Sequence, residues 1–196
     1  SNVKGVSNDI WSFEEFKYFT GITTIPNGAF AGSNLTTINI PDNVTELGVG
    51  VFENCKKLET VKMSENVSII TEKTFLNCSK LENFILPVAV KQIDKNAFGG
   101  VGFEKIMKYN GKFNGVNTLF IHENSSLTTI KNDAFEVDKW NNGLTTNNLT
   151  EVYLPKNLVI SDQQYNFLLS YGLTKINLVD TQNTNLRFEN NILYKE

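Results

Sequence analysis

Large apolar residues recur along this chain at nearly constant intervals, separated by polar and turn-forming residues. Three apolar positions with the spacing i, i+3 and i+5 follow a phenylalanine in each interval, as in Leu81, Phe84 and Leu86 after Phe75. Four such phenylalanines form a ladder with steps of 22, 23 and 23 residues: Phe30, Phe52, Phe75 and Phe98. Self-similarity at this period indicates stacked structural repeats rather than one conventional globular core.

The apolar positions that follow each phenylalanine predict a short β-strand. In Phe84-Ile85-Leu86 the alternation places the outer two residues on one face of the strand and Ile85 on the other. A second apolar pair follows each strand, such as Val90 and Ile93, and predicts an opposite wall. The ladder phenylalanine, on a tight helical turn, would fill the space between the two walls.

One string of residues carries a family resemblance. The pattern Phe-x-x-Cys-x-x-Leu, continued by Val or Phe and then by Met or Leu, begins at Phe52 and again at Phe75. It resembles the BspA-like leucine-rich repeats, and the resemblance covers nearly the whole chain. It implies a right-handed, strand-rich α/β solenoid with short helical turns and a parallel sheet on one face. It also implies a surface or secreted protein, bacterial or from a parasitic protist, involved in adhesion to host proteins or other microbes.

Residues 1–21 are predicted to form an N-terminal helical cap. Ser12 stands where an N-cap residue is expected, and Glu15 follows three positions later, as in a capping box. The apolar side chains of this short helix would cover the open end of the solenoid. They are Phe13, Phe16 and Phe19.

Residues 22–178 are predicted to contain the repeats, each about 23 residues long. Two insertions break the period, near residues 99–115 and 136–148, and both fall between a phenylalanine and its strand. Insertions at the same position of adjacent repeats project from one side of the stack, so these two insertions are candidates for a binding face. Residues 179–196 form a closing segment, in which apolar residues alternate around an Asn-Asn turn and favour a small hairpin.

The first insertion can be aligned in two ways. The preferred alignment takes Val116, Leu119 and Ile121 as the strand that follows Phe98, because it preserves all three strand positions. The alternative takes the segment from Phe103 to residue 106 as the strand and moves the insertion later in the chain.

Two sets of residues are candidates for ligand contact. They are Ile85, Phe120 and Tyr153 on the outward side of successive strands, and Tyr109, Phe113 and Trp140 in the insertions. The strand residues would be neighbours about 5 Å apart across parallel strands, where an exposed apolar stripe can mark a binding site. Rigid aromatic side chains dominate interface hot spots and stack on sugars. Alternatively, the strand residues only stabilise one another or lie under the insertions.

Cys55 and Cys78 hold the same place in successive repeats, so stacking would bring them close together. The position faces inward, where free thiols are expected to pack as small apolar side chains. A disulfide between stacked repeats is the sterically conceivable alternative.

Composition and residue types argue against several functions. The formal net charge is −3 and the lysines are scattered, whereas nucleic-acid binding requires a basic stripe. No run of 18 apolar residues is present, so no membrane-spanning segment is predicted. The single histidine, His122, has no second histidine for zinc, and every catalytic triad would have to use it. The chain is therefore predicted to have no enzymatic activity, no cofactor and no metal.

The family resemblance implies an extracellular binding module, secreted or at a cell surface, and we expect it to act as a monomer. Its partner would be a host or microbial protein, or a glycan, bound on the strand face or on the paired insertions. The chain is expected to be part of a longer exported protein, because Ser1 begins it without a signal peptide. The alternative function is a structural spacer or assembly segment of a larger surface protein.

Overall fold

A computed structural model describes residues 12–109, 117–131, 133–136, 148–154, 174–178, 186–189 and 192–195. A 3₁₀ helix covers Glu14–Tyr18, and the other regular elements of these residues are strands. The strands are β1 (Ser12–Phe13), β2 (Thr24–Ile25), β3 (Thr37–Asn39), β4 (Glu46–Leu47), β5 (Thr60–Lys62), β6 (Ile69–Ile70), β7 (Asn83–Leu86), β8 (Gln92–Ile93), β9 (Lys105–Tyr109), β10 (Thr118–His122), β11 (Thr129–Ile130), β12 (Glu151–Leu154), β13 (Lys175–Leu178), β14 (Leu186–Glu189) and β15 (Ile192–Lys195).

Equivalent strands pair in parallel within each sheet of the two walls, which confirms the predicted parallel sheet. The strands that follow the ladder phenylalanines form what we call the strand wall. It contains a three-stranded sheet, β1-β3-β5, and a five-stranded sheet, β7-β10-β9-β12-β13. The opposite wall contains β2 paired with β4, and the sheet β6-β8-β11. Strands β14 and β15 form an antiparallel hairpin, as predicted for the closing segment.

The ladder phenylalanines fill the space between the walls. Phe30, Phe52, Phe75, Phe98 and Phe135 are buried, and each ring stacks on the next with centroids 5.3 to 5.8 Å apart. The interplanar angles are between 6° and 13°, so the rings form a nearly parallel stack along the repeats. The predicted ladder is therefore confirmed, and it continues to Phe135.

Each ladder phenylalanine lies on consecutive tight turns, so the prediction of helical turns is wrong. In the second repeat, the N–H groups of Glu53 and Cys55 donate to carbonyl oxygens three residues earlier, at 3.0 and 3.1 Å. The N–H groups of Phe52 and Asn54 instead donate to the next repeat, at 2.9 and 2.7 Å. This alternation recurs in the neighbouring repeats, so every second amide of the turn joins one repeat to the next.

The turns require a left-handed backbone two residues before and two residues after the phenylalanine. The residues with φ between 53° and 70° at these positions are Gly28, Gly32, Gly50, Asn54, Lys73, Asn77, Asn96, Gly100 and Asp133. Glycine adopts this conformation without steric cost, and asparagine and aspartate tolerate it better than other residues. Glycine or asparagine at these two offsets is therefore a sequence signal for the turn, in addition to the apolar period.

Lys73 is a side chain poorly suited to this conformation, with φ of 58°. The substitution Lys73→Gly is expected to raise the free energy of unfolding by about 0.5–1 kcal/mol, because it removes the Cβ that a left-handed backbone strains. Urea denaturation measures the change. Lys73→Ala is the control, since it removes the ammonium group 3.6 Å from Glu72 but keeps the Cβ. An equal gain in both variants would show that strain is not the cause.

The N-terminal segment departs from its prediction. Strand β1 pairs in parallel with β3, so the segment adds a strand to the sheet. Ser12 belongs to that strand and caps no helix, and the 3₁₀ helix begins after Phe13 without a side-chain cap. Phe16 is buried with its ring 5.4 Å from that of Phe30, whereas Phe19 is 47% exposed.

The five-stranded sheet does not follow the order of the chain. Strand β10 lies beside β7 with Leu119 opposite Phe84, which confirms the preferred alignment of this strand. The alternative strand also exists, because Ile106 belongs to β9, and β9 pairs with β10 on one side and with β12 on the other. Residues 105–109 of the first predicted insertion therefore lie in the sheet and do not project from it, whereas residues 110–115 lie outside the described residues. Burial of Phe103 and Ile106 in the core holds β9 in the sheet.

Candidate ligand-binding face

The five-stranded sheet carries equivalent outward positions on adjacent strands, which we call the outer row. Phe120 lies opposite Ile85 on one side and opposite Met107 on the other. The pairing of β9 with β12 sets Val152 opposite Ile106, so the next residues, Tyr153 and Met107, lie on the same outward side of adjacent strands. The row therefore runs Ile85, Phe120, Met107 and Tyr153. Sequence reasoning missed Met107, because the preferred alignment placed no strand between residues 99 and 115.

Side chains of the outer row differ in exposure. Ile85 is 37% exposed, and Met107 and Tyr153 are half-buried. Phe120 is 3% exposed, although it does not belong to the core cluster between the walls. Thr118, two residues earlier in the same strand, is also buried. The outer side of β10 is thus covered, which agrees with the interpretation that part of the row is not open to a ligand.

A ladder of charges runs across three strands beside the row. Lys175 Nζ donates a hydrogen bond of 2.6 Å to one carboxylate oxygen of Glu151, and Lys105 Nζ lies 3.9 Å from the other. The hydrogen bond from Lys175 lowers the pKa of the Glu151 carboxyl from its usual value. The same bond raises the pKa of the Lys175 ammonium. The side chain of Lys175 is 54% exposed and that of Lys105 is 35% exposed, so water screens these ion pairs, and the ladder orients side chains more than it stabilises the fold.

Lys175, at one end of this ladder of charges, also contacts Tyr153. Lys175 Nζ donates to the tyrosine hydroxyl at 3.2 Å and lies 5.4 Å from the centroid of its ring. A cation at this distance is attracted to the ring, and the two contacts restrict the tyrosine rotamer. Tyr153 is therefore a preorganised aromatic side chain at one end of the outer row.

The candidate ligand contacts in the two insertions lie largely outside the described part of the structure. Tyr109 is the last residue of β9, and its side chain lies outside the described part of the structure. Phe113 and Trp140 both lie outside the described residues. A contribution of these aromatic side chains to binding stays a prediction.

The strand wall is interrupted between β5 and β7. These strands belong to consecutive repeats but to different sheets, so no parallel ladder joins them. The turns of the same repeats remain joined, since the Phe52 N–H donates to Thr74 O at 2.9 Å. A groove of about 570 Å³ opens at the interruption, and we call it the wall groove. The sequence contained no signal for it, because both strands match the repeat pattern.

The two cysteines are free and buried, which confirms the sequence prediction. The thiol of Cys55 donates to Phe30 O at 3.0 Å, and that of Cys78 donates to Phe52 O at 3.1 Å. Burial is the main cause that raises the pKa of both thiols, so they stay protonated at neutral pH. They act as small packing groups that also satisfy backbone carbonyls.

Three further features of the described residues concern a metal site, a role of His122 and a membrane-spanning helix. In this part of the chain, no three His, Cys, Asp or Glu side chains are grouped so that they could hold a metal ion. His122 Nδ1 accepts the N–H of Asn124 at 3.0 Å in the turn after β10. Across the same residues, none of the helical structure has the length and apolarity that crossing a membrane requires.

Comparison with known proteins identifies the repeats and supports the fold. Residues 7–110 match the BspA type leucine-rich repeat region in six copies. No curated protein matches the sequence. A leucine-rich repeat protein of T. pallidum has a similar structure with a TM-score of 0.60, at 18% identity over 80% of this chain and 63% of that one. This likeness independently supports the leucine-rich repeat fold.

Two further solved structures are similar over much of the chain. A leucine-rich repeat protein from Bacteroides ovatus gives a TM-score of 0.50, with 31% identity over 79% of this chain and 40% of that one. A leucine rich cell surface protein from Faecalibacterium prausnitzii gives 0.47, with 18% identity over 88% of this chain and 33% of that one. The chain thus spans less than two thirds of each of these proteins.

Proposed function

The chain belongs to the BspA-type leucine-rich repeat family, and from this premise we propose that it is an extracellular binding module. It would act as a monomer, secreted or held at a cell surface, and bind without catalysis or a cofactor. Its ligand would be a protein or glycan of a host or of another microbe. The chain would then act in adhesion.

The outer row is the observation that carries this proposal. Ile85, Met107 and Tyr153 present apolar and aromatic surface on strands that also hold charged side chains nearby. Interfaces commonly combine such an apolar centre with a polar rim, and tyrosine is enriched among residues that contribute most to affinity. Contacts from Lys175 already restrict Tyr153, so a ligand would order it at little entropic cost.

Solid-phase binding to extracellular-matrix proteins and a glycan panel tests the proposal. The double variant Ile85→Ala/Tyr153→Ala is expected to weaken saturable binding about tenfold or more, because it truncates two side chains of the outer row. Circular dichroism checks that the variant is folded.

The matched control is Ile69→Ala/Tyr18→Ala. Ile69 is 39% exposed and Tyr18 is 71% exposed, and both lie away from the outer row. This control is expected to bind like the unmodified chain. Equal losses in the two double variants would place the ligand elsewhere, and no saturable binding by any variant would contradict the proposal.

A structural spacer is the second candidate function. The burial of Phe120 favours it, because this aromatic side chain is not available at the surface of the described structure. A spacer needs repeats that stack rigidly, and the continuous phenylalanine stack supplies that property. The binding experiment separates the two candidates, since a spacer would bind none of the proteins or glycans.

A further inference from the structure

We infer that the wall groove between β5 and β7 binds an extended polypeptide segment that carries lysine or arginine residues. The inference rests on the proposed function, because it assigns a partner class to the part of the strand wall that adjoins the outer row and shares Ile85 with it. It depends on three features of the groove: the strand edges that face it, its charge, and its apolar surface.

Backbone groups of β5 face the groove. The Thr60 N–H donates to Thr36 O at 3.1 Å, and the Lys62 carbonyl accepts the N–H of Ile40 at 2.8 Å, so both residues direct backbone groups towards β3. Neighbouring residues of a strand direct their N–H and C=O groups to opposite sides. The backbone groups of Val61 therefore face the groove, where no ladder to β7 is formed.

The edge of β7 is arranged in the same way. The Glu82 carbonyl accepts the N–H of Thr118 at 2.8 Å, so it is directed towards β10. The backbone groups of the next residue, Asn83, and of Ile85 therefore face the groove. Strand edges of this kind pair with extended segments of other chains, as in β-strand addition. A peptide lying in the groove would gain hydrogen bonds from either edge.

The charge of the groove selects the partner. Its lining contains the carboxylates of Glu59, Glu65 and Glu82 and the ammonium group of Lys62, which leaves an excess of negative charge. Lys80 Nζ lies 3.6 Å from Glu59, but both side chains are more than half exposed, so this pair is weak. Strand β5 itself carries Lys62, but the three carboxylates that flank the two strands outnumber it, so the groove would attract a basic strand.

Apolar surface in the groove suits the stems of long basic side chains. Val61 is half-buried, Met63 is buried, and Ile85 is 37% exposed, and all three line the groove. Lysine and arginine pack their methylene groups on such surface while the charged ends reach carboxylates or water. An extended basic segment therefore matches the edges, the charge and the apolar part of the groove together.

Fluorescence anisotropy with three labelled octapeptides tests the inference. One peptide alternates lysine and threonine, one alternates glutamate and threonine, and the third is the lysine peptide with alternate amides N-methylated. The lysine peptide is expected to bind saturably and more weakly as salt is raised, and the glutamate peptide is expected not to bind. The methylated peptide should bind less tightly, because it lacks donors for the strand edges. Equal binding of the two lysine peptides would overturn the pairing with the edges.

Variants locate the peptide in the groove. Glu59→Gln/Glu82→Gln is expected to weaken binding of the lysine peptide about threefold to tenfold. This is the loss of affinity expected when two exposed charge contacts are removed. Glu65 is left unchanged because its carboxylate accepts the backbone N–H of Val88 at 3.3 Å. The control is Glu14→Gln/Glu46→Gln, which makes the same change in net charge at exposed positions away from the groove. Equal weakening in both double variants would overturn the assignment to the groove.

The inference and the proposed function can fail separately. If matrix proteins or glycans bind through the outer row but the lysine peptide does not bind, the inference is wrong and the proposed function stands. If the peptide binds in the groove but no matrix protein or glycan binds, the inference stands and the proposed ligands are wrong.

Discussion

Replacing Phe75 by alanine is expected to lower the free energy of unfolding by about 3–5 kcal/mol. The side chain is fully buried, and its ring lies 5.4 Å from that of Phe52, 5.3 Å from that of Phe98 and 5.0 Å from that of Phe84. The Phe75 N–H also donates to Ala97 O at 2.8 Å. Because such bonds between repeats hold the backbone in place, the surroundings cannot collapse to fill the cavity.

Urea denaturation followed by circular dichroism and by intrinsic fluorescence measures this loss. Two probes are needed, since repeat proteins can unfold in more than one step. Ile85→Ala is the control, because its side chain is 37% exposed on the outer face. It is expected to cost less than about 1 kcal/mol, as partly exposed apolar side chains do. A loss below about 1 kcal/mol for Phe75→Ala would contradict the buried stack.

The substitution Gly99→Ala is expected to lower the free energy of unfolding by about 1–3 kcal/mol or more. A Cβ at this position would lie 2.2 Å from the backbone carbonyl oxygen of Glu136 and 2.9 Å from Leu76 Cδ1. The Gly99 carbonyl accepts the N–H of Asn77 at 2.7 Å, so the residue is held between two neighbouring repeats. The clash is with backbone, and the repeats must separate locally to relieve it.

Gly102→Ala is the matched control for this prediction. A Cβ on Gly102 would meet no atom within 4 Å. This variant is expected to be neutral or to gain about 0.4–1 kcal/mol, because alanine reduces the conformational entropy of the unfolded chain. Thermal and urea unfolding of the two variants in parallel measures the difference. Similar stabilities would show that the repeats do not approach closely at Gly99.

The variants also bear on function through the outer row. Strands β7 and β10 present Ile85 and Phe120, and both strands are anchored in the core by neighbouring residues such as Phe84 and Leu119. Loosening the stack at Phe75 would therefore disturb the spacing of the row. A loss of binding can be assigned to the outer row only in a variant that circular dichroism shows to be folded.

The repeating pattern of apolar residues in the sequence determined much of this fold. The ladder of phenylalanines, the short strands and the inward cysteines follow from side chains that recur at one period, and each repeat buries the same positions against its neighbour. Each stacked repeat makes the same contacts with its neighbour. The pairing of β3 with β5, and that of β8 with β11, could therefore be predicted from the sequence alone. The pairing of Phe120 with Ile85 also followed from the register.

The tertiary structure alone decided the features that break the repetition. Strand β9 enters between β10 and β12 because Phe103 and Ile106 find buried positions there, and this choice separates Phe120 from Tyr153 by Met107. Burial of Phe120 and the interruption between β5 and β7 likewise depend on residues that are distant in sequence. A period of 23 residues specifies which neighbours can pair, but strand order, coverage of a face and opening of an edge follow from the competition among all segments for the same core.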